Sequence, residues 1–129
     1  FGTIILRDER KMPHLGLPGN PVSAMVAFEQ FGRPAICKML GKTQWNRPKI
    51  KAVLQDAIHN TDGRRVYARV SVTKEHGQYF AKLTGDQSSN IMTSLSKANG
   101  LAICPEDQLA KEIGETVLVE MIDWSEEVF

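Results

Sequence analysis

One segment constrains the fold more than any other. Along Val66-Tyr67-Ala68-Arg69-Val70-Ser71-Val72-Thr73, the apolar Val66, Ala68, Val70 and Val72 alternate with Tyr67, Arg69, Ser71 and Thr73. A period of two fits an extended strand with one apolar face, not a helix. Such a face has to be covered, so the chain must supply more strands. Ile50, Ala52 and Leu54 alternate in the same way, and residues 79–84, 101–104 and 116–122 read as further strands. Glu75-His76-Gly77-Gln78 is a hairpin turn, and Ile113-Gly114-Glu115 is the turn before the last strand. Five short strands with turn signals between them predict a small barrel or sandwich.

Upstream the period is different. Residues 3–6 and 14–17 are short strand candidates on either side of the charged run 7–11, which reads as a solvated turn. Asn20 can cap a helix, and Pro21 suits its first position, where a missing N–H costs nothing. Val22, Met25, Val26, Glu29 and Gln30 keep helical spacing, and Phe28, Phe31 and Ala35 widen the apolar face. Pro34 should kink or split this helix, because its ring meets the carbonyl of Gln30. Ile36, Cys37, Met39 and Leu40 carry the pattern to Gly41, a C-terminal cap. The polar stretch 43–48 places a domain boundary there, giving units 1–45 and 46–129.

Composition narrows the function classes. A 42% hydrophobic and 24% charged chain of 129 residues is ordinary globular material, which argues against disorder. A net charge of +1 gives no nucleic-acid field, and Tyr67, Tyr79 and Phe80 are too few to build a stacking platform for single strands. No apolar run approaches the ~20 residues of a membrane span, and no signal peptide is visible, so the expectation is a cytoplasmic protein. Cys37 and Cys104 are expected as reduced core residues. His14, His59 and His76 are scattered and never approach metal-ligand spacing with the cysteines, so no metal site is expected in the chain. The chain starts at Phe1 and runs straight into a strand, as a cut through a longer protein would.

Three places could carry chemistry. The junction 16–23, Gly-Leu-Pro-Gly-Asn-Pro-Val-Ser, joins a strand to a helix start. Gly16 and Gly19 allow close backbone approach, Pro18 and Pro21 stiffen the loop, and the helix start offers N–H groups as far as Ser23. This is a nest for an oxyanion or, equally, a tight turn that only caps its helix. It is not a Walker loop, since no Gly-Lys-Ser/Thr follows. Around the turn Asp62-Gly63, Arg64 at the strand mouth and Arg69 beside Tyr67 could grip phosphate, or could be a solvated face. Residues 84–94 form a long loop rich in hydroxyls and amides, which could bind a polar heterocycle or simply connect.

Taken together, three segments resemble one family. GLPGNPVSAMVAFEQF at 16–31 resembles the signature near the end of the molybdopterin-binding α/β domain of the molybdopterin molybdotransferases, the MoeA and gephyrin family. GRRVYAR at 63–69 and GDQSSNIMTSLSKANGLAICPE at 85–106 resemble the small C-terminal β-barrel domain of the same proteins. The resemblance implies an α/β segment, the end of the molybdopterin-binding α/β domain, followed by a small all-β barrel domain. It implies a role in molybdenum cofactor biosynthesis: adenylylated molybdopterin and molybdate are the substrates, AMP is released with Mg2+ help, and the full-length protein is a homodimer. By resemblance Pro18, Gly19, Asn20 and Pro21 shape the pterin or molybdate wall. Arg64 and Arg69 match the two arginines of the barrel motif, one of which contributes to the cleft. Ser89 matches the serine of the glycine-glutamine-serine loop. Many members carry Gly where this chain has Ser88. The family's catalytic acidic cluster, with its metal, and its lysine-bearing segment lie upstream and are not in this sequence, so this segment alone is expected to be inactive. An alternative is a gephyrin-like scaffold that holds partner peptides.

Overall fold

The alternation at residue 66 onward folds as the longest strand of a closed barrel. The computed structural model describes residues 1–88 and 91–124. The barrel strands are β3 (Lys49–Leu54), β5 (Val66–Glu75), β6 (Gln78–Leu83), β7 (Gly100–Cys104) and β9 (Thr116–Met121). Two shorter strands, β4 (Ile58–His59) and β8 (Ala110–Lys111), pair with each other beside the barrel. The closed order is β3-β6-β5-β7-β9. All neighbours are antiparallel except β3 and β6, which run parallel where Val53 faces Phe80.

Closure follows from which side chains point inward. Ala68, Val70 and Val72 pack with Ala52, Leu54, Ala81, Ala102, Cys104, Val117, Val119 and Met121 in one buried cluster. The many alanines suit a narrow interior, and closing the sheet removes its edges. Gly100 is required by space: a Cβ there would stand 2.6 Å from Val119 Cγ1. The β5–β6 hairpin turns at His76 and Gly77, whose φ values of 48° and 84° give the twist that a two-residue hairpin loop needs. The Asn99 side chain accepts from Val72 N–H at 2.7 Å and donates to the Val72 carbonyl at 3.1 Å, which extends the sheet ladder by a side chain.

Ahead of the barrel, β1 (Gly2–Ile5) and β2 (Lys11–His14) form an antiparallel hairpin. The second strand therefore precedes the expected 14–17. The turn closes early, with Leu6 N–H on the Arg10 carbonyl and Glu9 at a φ of 65°, so pairing starts at Lys11. Among the described residues ahead of β3, β1–β2 is the whole of the strand pairing.

The helical run is α1 (Pro21–Ala27), a π-helical turn at Phe28–Gly32 and α2 (Arg33–Met39). Asn20 caps it, its side chain accepting from Ser23 N–H at 3.3 Å. Pro34 neither splits nor ends the run. The wide turn just before it lets Arg33 N–H reach the Phe28 carbonyl, and so makes room for the ring that an α-helix would push into Gln30. Gly41, at a φ of 75°, ends α2: Lys42 N–H bonds the Cys37 carbonyl and Gly41 N–H the Lys38 carbonyl, each at 3.0 Å. Both cysteines are buried and unpaired. A short helix, α3 (Met92–Ser96), lies between β6 and β7.

Polar clamps tie the π turn to the barrel. Gln30 Nε2 donates to Glu120 Oε1 at 2.7 Å, and Lys49 approaches the same buried carboxylate at 3.6 Å. Arg47 grips Glu29 with two bonds, 3.0 and 3.2 Å, and donates to the Trp124 carbonyl.

Candidate functional site

Strand parity puts residues 65, 67 and 69 on the outer face of β5, toward α1. There a cleft of about 550 Å³ opens, lined by Val22, Ser23, Val26, Ala27, Gln30 and Phe31 from the helical run and by Arg65, Tyr67 and Arg69 from the barrel. None of these lining residues is acidic.

Arg69 is 4% exposed although it points away from the barrel interior. Its Nε donates to Ser94 Oγ at 2.8 Å, and its Nη2 donates to the carbonyls of Asp86 and Ser88 at 3.2 and 3.1 Å. Its backbone joins in: Arg69 N–H donates to Gln87 Oε1 at 2.8 Å, and its carbonyl accepts from Thr84 N–H at 3.1 Å. Arg69 thus ties the loop after β6 to α3. Burial lowers its pKa, partly offset by the Asp86 carboxylate. Asp86 is held below the usual aspartate range, mainly by hydrogen bonds from Ser88.

Arg65 stands at the rim of the cleft. Its Nε and Nη2 meet the two oxygens of Glu106 at 2.9 and 3.4 Å. Glu106 and, secondarily, the Tyr67 hydroxyl raise the Arg65 pKa. Arg64 has the opposite parity and does not line the cleft: its Nε bonds Asp62 Oδ2 at 2.9 Å on an exposed turn.

Of the loop 16–23, Ser23 lines the cleft, while Pro18, Gly19 and Pro21 are exposed and Asn20 is half-buried at the cap. A Cβ at Gly19 would meet nothing within 4 Å, so open space lies there. Ser89 lies outside the described residues. The structure therefore brings together Ser23 and Arg69, and adds Arg65, Tyr67 and Gln30. The parity of β5 is the sequence signal that selects Arg65 over Arg64. Nothing in the sequence marks Gln30, whose placement depends on the π turn.

A second cavity, about 420 Å³, lies between α1 and α3 and is mainly apolar, with Met25, Met92, Leu95 and Ile122 in its wall. Among the described residues no group of three or more His, Cys, Asp or Glu side chains could hold a metal ion. Among them too, no helix is long and apolar enough to cross a membrane.

Fold and cleft define a class, a small closed β-barrel domain with a helical arm laid across its outer face. The family is more specific: residues 51–122 match the MoeA C-terminal region (domain IV), and the chain belongs to that family. It is 34% identical over 110 residues to the molybdopterin molybdenumtransferase of Haemophilus influenzae, an alignment covering 81% of this chain and 26% of the relative. It is also 34% identical over 108 residues to the molybdopterin molybdenumtransferase of Nostoc, covering 82% and 25%. Among solved structures, the molybdopterin biosynthesis moeA protein of Pyrococcus horikoshii OT3 superposes with a TM-score of 0.65 at 32% identity, covering 80% of this chain and 26% of that one. The chain spans about a quarter of the length of the curated relatives it matches.

Proposed function

We propose that the chain serves molybdenum cofactor biosynthesis as the C-terminal region of a cytoplasmic, homodimeric molybdopterin molybdenumtransferase. The reaction places molybdate on adenylylated molybdopterin and releases AMP. The observation that carries this reading is the cleft: Arg65 and Arg69 stand on one wall, Ser23 and Gln30 on the other, and none of the described lining residues is acidic. A cationic wall facing a hydroxyl suits an anionic substrate, with Arg69 adding its charge while its donors stay with the loop. In this role Arg69 shapes the loop after β6, Pro18, Gly19, Asn20 and Pro21 form the approach, and Arg64 and Ser89 are further candidate ligand contacts. The part of the cleft residues is to bind and orient the anion. Phe1, Ile5, Met39 and Leu40 are exposed by 69–81% and form apolar surface of the kind that subunits or further domains cover. Neither a nucleic acid nor a membrane is part of this reading, and no specific observation favours the scaffold alternative over it.

The test is molybdate-dependent AMP release from adenylylated molybdopterin. This chain is compared with one extended upstream to the length of its relatives. Release by the extended protein and none by residues 1–129 alone is the expected result. An extended protein that releases no AMP on adding molybdate sinks the transferase reading.

A further inference from the structure

The two cleft arginines are in opposite situations. The Arg69 guanidinium is buried and committed to Ser94 and to two loop carbonyls. To reach a ligand it would have to abandon bonds that hold the loop. Arg65 is half exposed; its partners are a carboxylate that is itself half exposed and, secondarily, the Tyr67 hydroxyl. An ion pair of that exposure is weak, worth ~0.2–1 kcal/mol. The register explains why the pair forms. Val66 faces Cys104 across β5 and β7, so the chain beyond Cys104 passes alongside the residues before Val66 and brings Glu106 to Arg65.

We propose that Arg65 is the cationic contact for a tetrahedral dianion in the cleft, and that Glu106 is an internal carboxylate which this anion displaces. The chemistry is direct. A carboxylate presents two oxygens to the guanidinium fork, and so does one edge of a molybdate or phosphate group. Glu106 holds the fork in a geometry ready for the exchange. Tyr67, on the same strand face, lines the cleft beside it. The inference deepens the reading of the cleft as an anion site and rests on it. The dianion has two possible sources, free oxyanion or the phosphate of a nucleotide.

The experiment is isothermal titration of the full chain at low salt with molybdate, inorganic phosphate and AMP. Arg65→Ala is expected to weaken binding by about tenfold or more, the scale of a charged hydrogen-bonded contact. Arg65→Lys keeps the charge, loses the fork and is expected to fall between. Glu106→Gln removes the competitor and is expected to tighten binding about two- to fivefold, the worth of an exposed pair. Glu75→Gln makes the same change in net charge at the far end of β5, roughly 30 Å away at strand rise, and is expected to change nothing. A loss seen with molybdate and phosphate assigns Arg65 to the free oxyanion, and a loss confined to AMP assigns it to the nucleotide. Unchanged thermal midpoints establish that the variants are folded. If the wild type binds and Arg65→Ala binds equally well, the proposal fails while the anion reading stands. It also fails if Glu106→Gln weakens binding, since Glu106 would then be a support. If none of the three binds the wild type, the cleft reading fails and takes the proposal with it.

Discussion

Arg69→Met removes the guanidinium and keeps most of the side-chain length. Three hydrogen bonds go: one to Ser94 Oγ and two to the carbonyls of Asp86 and Ser88. Asp86 and Ser88 are exposed, so their carbonyls can turn to water, and each lost bond costs only its net value of ~0.5–1.5 kcal/mol. Ser94 is 2% exposed but keeps its own bond to the Ile91 carbonyl, so its hydroxyl is not orphaned. Against this, a buried charge no longer has to be desolvated, which returns part of the loss. The net expectation is a destabilisation of about 2 kcal/mol. At this chain length that lowers Tm by roughly 6–10 °C. Urea unfolding followed by Trp45 and Trp124 fluorescence measures the global term. Amide exchange at Thr84 and Ser88 measures the loop, where protection should fall first. A variant within ~0.5 kcal/mol of wild type, with unchanged exchange at both amides, would refute the assignment of Arg69 as the tie between loop and α3.

Gly100→Ala places a methyl 2.6 Å from Val119 Cγ1 and 3.3 Å from Val72 Cγ2, so it should cost ~1–3 kcal/mol. Adding Val119→Ala to it should recover part of that loss in the same urea assay. Asn20→Ala removes the cap on Ser23 N–H and should cost ~1 kcal/mol, while Asn20→Asp stays near wild type; equal losses for the two would argue against capping. Asp86 titrates below the usual aspartate value because Ser88 hydrogen-bonds its charged form. A lowered folded pKa means the contribution is present above the unfolded value and is lost as pH falls through the folded one. Carboxyl NMR should show that low midpoint together with loss of Ser88 amide protection, and an ordinary midpoint would contradict the loop geometry.

The barrel was legible because its strands announce themselves in period two and its hairpin in His76-Gly77. The helix start was legible for the same kind of local reason, a capping Asn20 followed by Pro21. What sequence could not show was decided by contacts. Two-residue strands such as β4 and β8 carry no periodic signal. Pro34 breaks an α-helix on local grounds, yet the preceding residues widen into a π turn, and that turn sends Glu29 to Arg47 and Gln30 to Glu120. Arg69 on an outward position reads as solvated, but α3 and the loop after β6 engage its guanidinium and it is buried. Arg64 and Arg65 differ by a single step of parity, which becomes decisive only when the strand and its partner across the cleft are known.

The central claim is that an oxyanion sits in the cleft between the helical run and β5. Crystals of the chain soaked in molybdate, with data collected at the molybdenum edge, test this directly. An anomalous peak is expected within hydrogen-bond reach of Arg65, in the space bounded by Tyr67 and Ser23. A peak elsewhere on the molecule, with none in the cleft, would contradict it.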